Sequence, residues 1–327
     1  MGNQIIGNYI GTDDTGTKPL GSQGTGVWLY GKHVLQNVIG GFSSAERNII
    51  SGNVRSGVCL MGRPYENRIV GNYIGTDVTG LRAVGNEWRG ISIESGFNNV
   101  VMGNLVSGNG GGISITDPGA SGNEVIGNLI GTDATGTVAL GNRGTGLNAN
   151  ESFNKIGGET PAERNDISGN AGPGIKVGWR STSDIIVIGN YIGTDITGTK
   201  ALGNGSDGIR LTEGTYHNFI GGTTKAERNI IGANAGSGVR FAPEGGKFNF
   251  ITGNYIGTDI SGSGSLPNQS GIEMGKSSAD IGSSKFNFIN DNLISYNKKG
   301  SVVINSGKGN TIWRTSFVDN MSSDSDS

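Results

Sequence analysis

The stretch GNYIGTD at residues 71–77 returns three more times in this chain, at 7–13, 189–195 and 253–259, and once as GNLIGTD at 127–133. Between some of these copies lies a second phrase, AERN, at 45–48, 162–165 and 226–229. Aligning both phrases gives one shorter unit: N-x-I-x-G-N-x-I, a variable loop, then G-N-x-x-x-G-I-x-I. The unit starts near Asn3, Asn37, Asn67, Asn99, Asn123, Asn154, Asp184, Asn218, Asn249, Asn287 and Asn310, which covers nearly the whole chain. Self-similarity at this period is the signature of a stacked repeat architecture.

Within each unit, apolar residues alternate over only a few positions, as Ile5, Ile10, Val27 and Leu29 do in the first. Such short alternation describes strands with one buried face. Gly and Asn between them supply the left-handed backbone of tight turns. No segment holds a helical period over ten residues, and the strict hexapeptide period of left-handed solenoids is absent. The expected fold is therefore all-β: a right-handed parallel β-helix of about eleven coils, roughly 50 Å long at the spacing of neighbouring strands. One domain is expected over residues 1–315, with a polar tail over 316–327. Asn recurs at one turn position, at Asn8, Asn48, Asn72, Asn104, Asn128, Asn165, Asn190, Asn229, Asn254 and Asn292. Stacked one per coil, these amides are expected to bond to each other and to turn backbone, forming an internal ladder.

The composition fits that scaffold and narrows the partners. The 327 residues include 62 Gly, and only 33 % are hydrophobic and 16 % charged. The Gly positions show no three-residue period, which excludes collagen. A net charge of -2 gives no overall electrostatic case for nucleic acid or membrane. A single cysteine, Cys59, allows no internal disulfide, and the two histidines, His33 and His217, lie far apart. No apolar run is long enough to span a membrane. No signal-peptide pattern precedes the first repeat, so the chain reads as a mature or trimmed form.

The phrases NYIGTDxTG, NxIGG, AERNIISGN and GxGIxI resemble the parallel β-helix repeats of the pectin lyase-like superfamily, in their Gly/Asn-rich extracellular version. The resemblance covers roughly residues 3–315. It implies a secreted or cell-surface protein. Members include polysaccharide lyases, glycoside hydrolases, uronate epimerases, phage tailspikes and adhesins. The Asp-Pro-His motif of the epimerases fails here, because Asp117-Pro118 is followed by Gly119. No pectate-lyase-type calcium cluster or paired-Asp signature can be placed. The family's catalytic residues therefore carry over to no position of this chain.

The residues themselves offer several candidate sites. The odd units carry a long insertion that brings Asp13, Asp77, Asp133, Asp195 and Asp259 to one edge. Carboxylates and free carbonyls are calcium ligands. One carboxylate per loop is thin for a cation, however, so Asx-turn capping is the favoured expectation, with no metal site and no cofactor, and calcium the alternative. Tyr9, Tyr73, Tyr191 and Tyr255 precede these loops. They could stack on a sugar, or lie under the inserted loop, which is the favoured expectation. The neighbours Glu46–Arg47, Glu163–Arg164 and Glu227–Arg228 recur at equivalent positions, which argues for a structural ion pair or cap. Thr recurs only in every second coil, too sparse for an ice-binding array.

A site acting on one bond is unique along a solenoid, so residues that break the repeat are the informative ones. If Val27 and Leu29 face inward, Trp28 faces outward. Its row then reads Cys59, Ser92, Ser114, Asn148, Lys176, Arg210, Arg240, Glu273 and Val303. Lys176, Arg210 and Arg240 fall on consecutive coils, where like charges repel unless neutralised. Glu213, Glu244 and Glu273 could neutralise them, and so could an acidic glycan, with Trp179 as a stacking surface. The expected partner is a linear, acidic polysaccharide held by Lys176, Trp179, Arg210, Arg240 and Glu273. If the protein is a lyase or glycoside hydrolase, Arg210, Glu213 and Arg240 are the catalytic candidates. A structural surface or fibre segment without activity is the third class. A homo-oligomer is compatible with the pattern if apolar residues gather on one outer face.

Overall fold

The computed structural model describes residues 1–21, 24–179, 181–212, 214–242, 246–275 and 284–321. Every regular element among them is a short strand, and all strand pairs are parallel. The strands form three sheets. Sheet A has eleven strands, from Gln4–Ile5 to Thr311–Trp313, sheet B eleven, from Tyr9–Ile10 to Ser316–Val318, and sheet C ten, from Val27–Tyr30 to Val302–Ile304. Each successive trio makes one coil, numbered here 1 to 11 from the unit starts. Coil 6, for example, is Lys155–Gly157, Asp166–Ile167 and Ile175–Val177. Parallel strands joined by a crossover wind right-handed, and the chain is a right-handed parallel β-helix. The stack runs past the boundary expected at 315, because Ser316–Val318 pairs with Leu293–Ser295.

The interior follows from the two-residue strand period. Ile39, Ile69, Val101, Val125 and Ile156 stack on one another from sheet A, fully buried. On sheet C, Val27 is buried and Trp28 exposed, as the alternation requires. Corners between the sheets need a left-handed backbone at close quarters. At Gly75, φ is +91° and an added Cβ would run into the carbonyl of Ser107, so only Gly serves there.

Asparagine organises the corners, and in three ladders rather than the single one read from sequence. The expected ladder, Asn8 to Asn292, lies between sheets A and B and is unbroken. A second, Asn53, Asn86, Asn109, Asn142, Asn170, Asn204, Asn234, Asn268, Asn297 and Asn320, lies between B and C. The third uses the unit-start Asn themselves, from Asn3 to Asn310. It is interrupted once, in coil 7, where Ile185 occupies the position and its N–H donates to Asn218 Oδ1.

Asn128 shows the chemistry of an interior rung. Asn128 donates from both its backbone N–H and its Nδ2 to Asn165 Oδ1, each at 3.0 Å. The remaining Nδ2 proton faces the carbonyls of Val101 and Ile126. Its own Oδ1 accepts from Asn104 N and Nδ2 at 2.9 and 3.0 Å. Every polar atom of a fully buried amide is thereby satisfied. Asn128→Ala is expected to destabilise the chain by about 1–3 kcal/mol, because it strands buried donors above and acceptors below. Urea denaturation measures this, and a change within error would place the side chain outside the ladder.

Candidate functional site

The outer face of sheet B is closed by the chain's own loops. In the odd coils, the GTD aspartate caps its loop. Asp195 Oδ1 accepts from Thr197 Oγ1, Thr199 N and Lys200 N at 2.7, 3.2 and 3.1 Å, and Asp13 does the same with Thr15, Thr17 and Lys18. The Asp13 carboxyl is held below its ordinary range chiefly by the Thr17 N–H. Successive loops bond to each other across the intervening even coil: Val78 N to Gly16 O, Ala134 N to Gly80 O, Ile196 N to Gly136 O and Ile260 N to Gly198 O, all at 3.0 Å. The loops lie over the tyrosines, and a Cβ at Gly80 would come within 2.8 Å of Tyr73 Cε2.

The AERN phrase completes this roof as a cap rather than an ion pair. Glu46, Glu163 and Glu227 each accept from N–H and hydroxyl groups of their own turn. The adjacent arginines turn away. Arg47, Arg164 and Arg228 lie 4.0, 4.2 and 3.8 Å from the ring centres of Tyr73, Tyr191 and Tyr255 on the next coil, in cation–π contact.

Among the described residues, the outer face of sheet C carries no such roof. The row read from sequence is in register throughout, Trp28 against Cys59, Ser92, Ser114, Asn148, Lys176, Arg210, Arg240, Glu273 and Val303. It is not evenly exposed: Cys59, Ser92 and Ser114 are buried. Burial, then the charge of Glu94, pushes the Cys59 thiol up to about 12, which leaves it unreactive.

Two grooves open on this face. The first, of about 510 Å³, spans coils 3 to 6, and Trp88, Arg89, Gly111, Asn148 and Lys176 are among the residues that line it. It exists because coil 4 has Gly111 where coil 3 has Arg89 and coil 5 has Thr145. A Cβ at Gly111 would meet only ordinary contacts, at 3.8 and 3.9 Å, whereas one at Gly110 or Gly112 would strike a backbone carbonyl. Trp88 is 59 % exposed, with Arg55 over its ring at 5.3 Å. Glu87 and Arg143 pair at 3.2 Å across the glycine coil. The second groove, of about 500 Å³, lies over coils 8 to 10 and includes Arg240, Glu273 and Lys299.

The three cations of the row differ in partner. Arg210 is tied to the buried Asp207, with Nε to Oδ2 at 2.7 Å, and to Ser206 Oγ at 2.7 Å. The sequence reading missed Asp207; the signal was its place three residues before Arg210, on the same outer face. Arg240 pairs with Glu273 at 3.4 Å, as expected, and Glu273 also accepts from Ser237 Oγ. Lys176 has no carboxylate within ion-pair distance among the described residues. Its pKa is lowered, first by burial and then by the charges of Arg210 and Arg89. Trp179 is exposed but is not part of the first groove's wall. Glu213 and Glu244 lie outside the described residues.

No protein-family model and no curated protein sequence matches this chain. Solved structures do. The periplasmic alginate epimerase AlgG is similar over 91 % of this chain and 61 % of its own, with a TM-score of 0.54 and 15 % identity. The Dettilon tailspike protein is similar over 92 % of this chain and 60 % of its own, with a TM-score of 0.52 and 15 % identity. This chain thus spans about three fifths of the length of both. The likeness is one of fold, a right-handed parallel β-helix.

Two outcomes follow from these contacts. Chelation with EDTA is expected to leave the thermal midpoint unchanged, since the GTD carboxylates already serve as turn caps; a large drop restored by calcium would make the loops metal sites. Arg210→Ala is expected to destabilise the fold by about 1–3 kcal/mol in denaturant titrations, because it leaves the buried Asp207 without its charge partner. An unchanged midpoint would show that the pair contributes nothing.

Proposed function

We propose that this protein is a secreted or cell-surface module whose open sheet C face binds a linear, acidic polysaccharide lying across the coils. The observation that carries this reading is Lys176, an unpaired cation among the described residues, in a groove opened by Gly111 and walled by Trp88. An anionic group would restore the charge balance that Lys176 lacks, and an exposed indole offers a sugar a stacking surface. A groove running over several coils suits an extended chain more than a compact ligand. The similar structures support the substrate class: one is an alginate epimerase, and alginate is a linear acidic polysaccharide.

Binding ranks above bond cleavage for a specific reason. Of the catalytic candidates among the described residues, Arg210 and Arg240 are permanently charged guanidiniums held by Asp207 and Glu273. Neither is free to take a proton from a sugar ring. Absorbance at 232 nm on uronate polymers is expected to stay flat; a rising signal would establish a lyase.

The site is tested by two substitutions, read by glycan array and calorimetry. Lys176→Ala is expected to weaken binding of acidic glycans by about 1–3 kcal/mol, the range for hydrogen bonds to charged groups, and added salt should weaken wild-type binding as well. Gly111→Leu should fill the groove and abolish binding while the fold persists, since a Cβ there meets only ordinary contacts, 3.8 Å from Thr145 O and 3.9 Å from Arg89 Cγ. Because the Lys176 pKa is lowered, wild-type affinity should begin to fall at a lower pH than for an ordinary lysine. Retained affinity in both variants would move the site elsewhere, and no binding to any glycan would leave the structural-segment reading.

A further inference from the structure

One position under the sheet B roof breaks the repeat. The column in register there runs Ile49, Tyr73, Leu105, Leu129, Asp166, Tyr191 and Ile230. AERNII in coils 2 and 8 becomes AERNDI in coil 6. Asp166 is 2 % exposed, and its Oδ2 has no hydrogen-bond partner. Above it, Ile196 N bonds Gly136 O at 3.0 Å, joining the loops of coils 5 and 7.

The hydrogen bonds around Ser168 fix where a proton must be. In coils 2 and 4, Ser51 and Ser107 donate their hydroxyls to the carbonyls of Thr76 and Thr132 at 2.7 Å, and Ser107 Oγ accepts from Gly131 N. Ser168 does the same in coil 6, lying 2.7 Å from Thr194 O and accepting from Gly193 N at 3.0 Å. It also lies 2.7 Å from Asp166 Oδ1. A hydroxyl has one proton, and the Thr194 carbonyl can only accept. Both short contacts are satisfied together when the carboxyl of Asp166 supplies the second proton.

The surroundings favour the same state. From coil 7 face Asp195, whose Oδ2 also lacks a partner, and Tyr191; from coil 6 itself, Arg164 is stacked on Tyr191 and bonded to Gly189 O. From coil 5 the residue in register is Leu129, and the loop acid Asp133 caps its own turn. Burial, against the Ser168 contact and with the charge of Asp195 adding to it, raises the Asp166 pKa well above the ordinary carboxylate range.

We propose that Asp166 is a neutral carboxylic acid beneath the loop roof, and that its ionisation at higher pH loosens the clasp between the loops of coils 5 and 7. A group whose folded pKa lies above its unfolded value takes up a proton on folding between the two. Stability is therefore retained below the unfolded pKa and lost as pH rises toward and through the folded one. Asp166→Asn keeps the shape and donates the same bond to Ser168, but cannot ionise.

The test compares the full chain with this variant. Thermal midpoints are expected to coincide near about pH 4, the ordinary carboxylate value, with the variant increasingly the more stable as pH rises. Tryptic cleavage after Lys200, in the coil 7 loop, is measured against cleavage after Arg82, at the equivalent place in coil 3. That ratio should climb with pH in the wild type and stay flat in the variant, which cancels the protease's own pH dependence. Should Asp166→Asn fail to fold, Asp166→Ile, the residue of coils 2 and 8, is expected to show the same pattern. A stability gap independent of pH, or a flat wild-type ratio, would overturn the proposal. So would a calcium-induced rise of the wild-type midpoint that closes the gap, because the two carboxylates would then hold a cation rather than a proton.

Discussion

The amide-to-amide hydrogen bond between asparagines of successive coils is the interaction on which the rest of this structure rests. A solenoid of short strands turns a corner every few residues, and each corner buries backbone groups that no ladder partner reaches. Asn answers with two donors and an acceptor on one short side chain. Repeated in register, the donors of one coil meet the acceptor of the next, as Asn104, Asn128 and Asn165 show. The three ladders use all of the chain's asparagines except Asn98, Asn148, Asn150, Asn290 and Asn305. With the corners satisfied, the aliphatic columns need only be small and repetitive, which explains how a chain with 33 % hydrophobic residues forms a continuous core.

The same periodicity divides the surface into a closed face and an open one. Over sheet B, loops from odd coils reach across even coils to one another, and AERN arginines stack on the next coil's tyrosine. These parts occur together. Tyr73, Tyr191 and Tyr255 each follow a coil that supplies Arg47, Arg164 or Arg228, whereas Leu129 follows coil 4, whose short turn at Gly103 and Asn104 carries no arginine. The pairing is thus built into the repeat. Asp166 sits under this roof in a column that is otherwise aliphatic or aromatic from Tyr9 to Leu293, with Ser316 in the last coil. Over sheet C no such insertion is found among the described residues, and charged side chains there pair across coils, as Arg240 does with Glu273 and Arg143 with Glu87.

Charge on the open face is mostly settled internally. Arg210 and Arg240 stand one coil apart, yet each has its own carboxylate, Asp207 and Glu273. Lys176 differs because its neighbours in register are Asn148 on one side and Arg210 on the other. The glycine at 111 removes the side chain that would otherwise roof the approach to it. A cation with no carboxylate partner among the described residues and an absent side chain together make the groove.

The sequence by itself determined the coil count, the strand phase, the inward columns, the Asn8–Asn292 ladder and the register of the outward row from Trp28 to Val303. These are consequences of period, and period is legible because one unit is written eleven times. The turn-cap role of the GTD aspartates and the cover over the tyrosines were legible for the same reason. Tertiary structure alone decided which residues across coils become partners. Asp207 holds Arg210; Arg47 stacks on Tyr73 instead of pairing with Glu46; Gly111 opens a groove; and Ile185, one residue after the expected start at Asp184, interrupts a ladder. Each depends on side-chain direction and on what the adjacent coil places within a few ångströms. A linear pattern fixes a residue's height and face in the stack, but not the reach of a flexible side chain across it.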